Sequence, residues 1–116
     1  MMFALIKNAA NLDMYGDIPE VTFATPDEAE TYYGDWDDAI MLCDNLLPEL
    51  DKVIEDHVLD LSDIDYFDKE KCVKLKSVLE GKLATAPPSR LHELYSILYG
   101  YVNRAIELNT GVEIEL

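Results

Sequence analysis

Positive charge is what this sequence has least of. Nine Lys and Arg stand against 24 Asp and Glu, for a formal net charge of -15. From Asn8 through Asp51 there is no Lys or Arg at all. A field of that sign repels nucleic acid and anionic membranes, which argues against direct binding to either. Long apolar runs are missing too, and none approaches the roughly 20 residues of a membrane span. Met1–Lys7 lacks the apolar stretch of a signal peptide, so the expected location is a reducing cytoplasm.

The residues that usually carry catalysis are scarce. Cys43 and Cys72 are the two cysteines, with no CxxC and no nearby His. They read as small buried hydrophobes rather than a disulfide or metal pair. His57 and His92 fall at or next to core stripes, and each is paired only with an acid adjacent in sequence, which points to a different helix face. No serine sits in a Gly-x-Ser-x-Gly elbow, and the five glycines are isolated, so no loop cradles phosphate. The segment around Asp63 and Asp65 begins like a calcium loop. Phe67 then takes the third ligand position and Asp68 replaces the required glycine, so the motif fails. No cofactor, no bound metal and no enzymatic activity are expected.

What is present is a globular composition. A chain of 116 residues, 49% apolar, is one domain with enough apolar mass for a core. The expected architecture is mainly α, four to five helices in an irregular bundle with a small β element, with α+β as the alternative. Met2, Leu5, Ile6, Ala9 and Leu12 fit a helical stripe, although Met1 to Lys7 could equally be a strand. Gly16 stops that helix, and Asp17-Ile18-Pro19 is a turn. Glu20–Ala24 reads as a short strand. Thr25, Pro26 and Glu28 spell the start of a short helix ending near Gly34. Asp35 or Asp37 caps the next helix, whose stripe of Trp36, Ile40, Cys43, Leu47, Leu50, Ile54 and His57 or Val58 should face the core, kinked or split at Pro48. Ser62, Asp63 or Asp65 would cap a third helix from about Tyr66 to Leu83. Ser89 caps the last, with Leu91, Leu94, Leu98, Tyr101, Ala105 and Leu108 inward and Tyr95 and Val102 widening the stripe. Asn109-Thr110-Gly111 stops it, and Val112–Leu116 alternates as a strand. That strand could pair with residues 20–24, and with 2–6 if these are extended.

The distribution of charge carries the functional reading. Residues 13–68 hold eighteen of the acids and one base, Lys52. Residues 69–116 are nearly balanced, so the polarity differs from the uniform acidity of a halophile's protein. On the helix expected over 37–56, the acids form two outward rows: Asp37, Asp44, Asp51 and Glu55, then Asp38, Glu49 and Asp56. Asp60, Asp63 and Asp65 in the following loop extend the surface. Neighbours three or four apart lie about 5–6 Å from one another, comparable with phosphate spacing, and holding several together costs about 1–2 kcal/mol. A benefit should offset that cost.

The expected partner is a basic protein, such as a nuclease toxin or a nucleic-acid-binding effector, met by a nucleic-acid mimic. Immunity proteins and phage inhibitors of CRISPR or restriction nucleases work in this way. The likeness is one of charge and size, and no residue motif ties the chain to either group. The competing expectation is an adaptor or assembly subunit with an apolar surface. Tyr95, Tyr99 and Tyr101 fall too widely around the last helix for all to be buried, which leaves room for a homodimer. Tyr15, Tyr32, Tyr33, Trp36, Tyr66 and Phe67 are candidate anchors, with core packing expected for at least half and for Trp36 above all.

Overall fold

A computed structural model describes residues 1–116. The fold is α+β, not a helical bundle. The strands are β1 (Met2–Ile6), β2 (Met14–Tyr15), β3 (Ile18–Pro19), β4 (Ala29–Tyr33), β5 (Ile64–Phe67) and β6 (Val112–Glu115). The helices are α1 (Trp36–Asn45), the single turn α2 (Leu47–Leu50), α3 (Lys69–Thr85) and α4 (Arg90–Glu107). Four strands make an antiparallel sheet in the order β4-β1-β6-β5, and β2 and β3 form a separate hairpin.

The two ends of the chain meet at the centre of the sheet. β1 is flanked by β4 and β6 and buried along its whole length. Phe3 and Leu5 enter the main core beneath the helices, while the alternate residues Met2, Ala4 and Ile6 are buried on the other face. This overturns the preference for a helix over residues 1–15. A strand covered on both faces is apolar throughout, so its pattern cannot be told from a buried helical turn. The β6 strand forms as expected and pairs with β1, but its other neighbour is β5, not residues 20–24.

Residues 7–28 leave β1, cross the face away from the helices and return as β4. Gly16 turns the β2–β3 hairpin with φ +61. The strand expected at Glu20–Ala24 does not form, and Phe23 there is 96% exposed. The expected Thr25 helix also fails after one turn. Glu28 Oε1 still accepts from Thr25 N at 2.9 Å, the local half of a capping box, but pairing with β1 then draws Ala29–Tyr33 into a strand. Long-range ladder bonds outweigh a cap whose helix has no further turn to stabilise.

The remaining helices follow their local signals more closely. Asp35 caps α1 in a reciprocal box with Asp38, and Asp68, not Ser62, Asp63 or Asp65, caps α3. Ser89 caps α4 as expected. The inward phase of α1 differs from the expected stripe. Asp38, Ala39 and Leu42 are buried, while Trp36 is 55% exposed and Ile40 also faces out. Apolar residues occupy both phases of this helix, and Leu46 and Leu47 near Pro48 complete the inner one. On α4, Tyr95 is buried and Leu108 exposed. No helix is long and apolar enough to cross a membrane.

Candidate functional site

The ten acids read as a binding surface do not share one environment. Asp37, Asp44, Glu55, Asp60 and Asp63 are exposed and make no ion pair. Glu49 pairs with Lys52 at 3.2 Å, and Asp56 approaches Lys71 at 3.7 Å. Exposed pairs of this kind contribute about 0–1 kcal/mol. Asp65 is buried and accepts from Val58 N at 3.1 Å and Tyr66 N at 2.9 Å, so it organises the loop before β5.

Asp38 is the clearest correction. It is 3% exposed and held by a two-pronged contact from Arg90: Nε to Oδ1 at 3.0 Å and Nη2 to Oδ2 at 2.8 Å. The same Nη2 donates to the Tyr32 hydroxyl at 2.9 Å. The Arg90 hydrogen bonds hold the Asp38 carboxyl below its usual range, against the opposing effect of burial. The pair ties the start of α1 to the start of α4 and offers nothing to a partner. Sequence spacing places Asp38 outward because apolar residues occupy both phases of α1 and either could face the core.

Three of the ten acids converge. Asp51, just after α2, and Asp60 and Asp63, in the loop before β5, line one cleft of about 440 Å³ with His57. Leu47, Pro48, Val58 and Leu59 supply apolar walls, and no Lys or Arg lines it. Asp51 Oδ1 lies 2.6 Å from His57 Nε2, and His57 Nδ1 accepts from Leu59 N at 3.3 Å. That pattern assigns the tautomer with hydrogen on Nε2, donating to Asp51. Cys43 also lines the cleft. Burial raises its thiol, and the charges of Asp60 and Asp44 raise it further. Both His57 nitrogens are engaged elsewhere, with Asp51 and with Leu59 N. The arrangement can attract and seat a cationic group, but it does not generate a thiolate.

Cys72 lies in the core, while Cys43 is half-buried, and both are free. Trp36, Tyr15 and Tyr33 are more than half exposed, whereas Phe67 is wholly buried and Tyr32 stacks on Phe3.

One functional-looking residue had no signal in the sequence. Glu113 of β6 alternates with Val112 and Ile114 and should face water. It is instead 0% exposed, and neither carboxyl oxygen has a hydrogen-bond partner. Burial, followed by the charges of Glu115 and Glu20, pushes its carboxyl up to about 7. No group of three His, Cys, Asp or Glu is placed to share a metal ion. No protein-family model matches this chain, and it has no significant match among curated proteins or solved structures.

Proposed function

We propose that this chain is a small acidic binding protein that neutralises a basic, nucleic-acid-acting protein, in the manner of an immunity protein or nuclease inhibitor. It would act without catalysis, in the cytoplasm, with its carboxylates standing where a phosphate backbone would lie. The observation that carries this reading is the cleft on which Asp51, Asp60 and Asp63 converge with no Lys or Arg among its lining. Asp44, exposed and unpaired on α1, adds to the same field through its effect on Cys43. Closely spaced carboxylates steer a cationic partner and fix its register, and the apolar walls suit the stem of a Lys or Arg side chain. A second reading, an adaptor docking through apolar surface, draws on the exposure of Phe23, Tyr33 and Trp36.

Salt separates the two. Capture of partners is compared at about 0.05 M and about 0.5 M salt, where screening lengths differ roughly threefold. The Asp44→Lys/Asp60→Lys/Asp63→Lys variant is run alongside, leaving Asp51 to hold His57. A basic nucleic-acid-acting partner, lost both at high salt and in the variant, supports inhibition. A partner indifferent to salt and to the variant, but lost in Trp36→Ala, overturns it in favour of the adaptor.

A further inference from the structure

The face of the sheet away from the helices holds a second pocket, of about 330 Å³, which shares no residue with the acidic cleft. Sheet register builds its floor. Tyr33, Met2, Glu115 and Ile64 lie side by side across β4, β1, β6 and β5. Glu113 stands in a neighbouring row, flanked by Ala4 and Tyr66. The β2–β3 hairpin and the residues after it form the cover, with Ile18, Glu20 and Val21 facing the floor.

Two features of this pocket are independent of one another. Three carboxylates line it, those of Glu20, Glu113 and Glu115, and no Lys, Arg or His does. Glu113 is also fully buried with both oxygens unpartnered. A buried carboxylate without donors is costly, and natural interiors seldom keep one without a purpose. A group entering the pocket with N–H donors would satisfy both oxygens.

We propose that this pocket binds a free organic cation, a primary ammonium or guanidinium group carried on a short apolar stem. The head supplies the N–H donors that Glu113 lacks, and Glu115 and Glu20 add attraction. Met2, Ile18 and Ile64 cover the stem. Tyr15 and Tyr33, 74% and 67% exposed, also line the pocket, and aromatic rings beside a cation favour its binding. A bare metal ion does not suit the site, because its carboxylates do not gather into a ligand set. The volume is at the small end of ligand pockets, which fits a molecule of a few carbon atoms.

Protonation gives the site a signature. The groups facing Glu113 are Glu115 on its own strand, Glu20 on the cover and Tyr66 on β5, while β1 opposes it with Ala4. Burial, reinforced by these anionic or neutral neighbours, keeps the proton on Glu113 up to about 7. The cation binds the deprotonated form and must displace that proton below this pH. Affinity should therefore rise about tenfold between pH 6 and pH 8.

The test is calorimetric titration of the whole chain with agmatine, which carries a guanidinium and an amine on a butyl stem. A capped arginine peptide is titrated in parallel. The expected result is one-to-one agmatine binding, about tenfold tighter at pH 8 than at pH 6. It should be lost in Glu113→Gln and weakened in Glu20→Gln, an exposed position where folding is not at risk. No agmatine binding at either pH overturns the proposal, as does binding that ignores both substitutions. Binding of the peptide alone also overturns it, since the cation would then arrive on a chain. So does stoichiometric uptake of calcium or magnesium in place of agmatine.

Discussion

The two faces of the sheet are built differently. The helical face carries an apolar cluster of 21 buried residues drawn from α1 to α4 and from alternate strand positions. Its only orphaned polar side-chain atom is the Tyr95 hydroxyl. The other face is covered by residues 7–28, whose only regular structure is a hairpin of two-residue strands. That thin cover encloses a carboxylate. A helix satisfies its own backbone and can present an unbroken apolar stripe, so helices seal a face well. A strap of loop must keep its backbone near water and leaves gaps. Where such a gap holds a charge, the arrangement costs stability, and function is the better explanation.

Truncation probes the contrast most strongly. Phe3→Ala opens the helical core and should cost about 3–5 kcal/mol in urea unfolding, whereas Met2→Ala, next in sequence but under the cover, should cost about 2 kcal/mol or less. Equal losses would mean that both faces are packed alike.

Titration comes next in size. The unfolded Glu113 releases its proton near 4.5, while the folded one keeps it to about 7. The folded state therefore binds more protons in that window, and stability falls as pH rises through it. Glu113→Gln should remove the fall and raise stability at pH 8 by about 3 kcal/mol, with little change at pH 4. A flat difference across this range, followed by thermal unfolding, would show that Glu113 does not carry the strain of the covered face.

The smallest effect belongs to the opposite face. Tyr95→Phe deletes the one unpartnered hydroxyl of the helical core and should stabilise by about 1 kcal/mol, equally at every pH below 9. Destabilisation on that substitution would imply that the hydroxyl is satisfied in solution and that the core is wetter than its packing suggests.

Local signals were legible where the competing structure was also local. Ser89 and Asp35 cap the helices they precede, whereas the turn expected over Asp17-Ile18-Pro19 falls at Gly16-Asp17 because Ile18 and Pro19 pair with β2. The acids of the candidate cleft were legible only as a dense charge, because Asp51 and Asp60 are brought together by a loop that is tied to β5 through Val58 N and Asp65. Asp38 was misplaced for a simple reason: Arg90, its partner, is 52 residues away. Glu113 was invisible because nothing near β6 announces that residues 18–22 cover it.

By itself, the sequence determined the charge, its crowding into residues 13–68, the caps of α1 and α4 and the strand at the C-terminal end, since all of these depend on neighbours along the chain. Only the tertiary structure decided that Met2–Ile6 is a central strand, that α1 turns Asp38 inward and that Glu113 is shut from water. Each of those depends on pairing or covering by distant segments, and an apolar run or an alternating strand looks the same whether or not such a partner arrives.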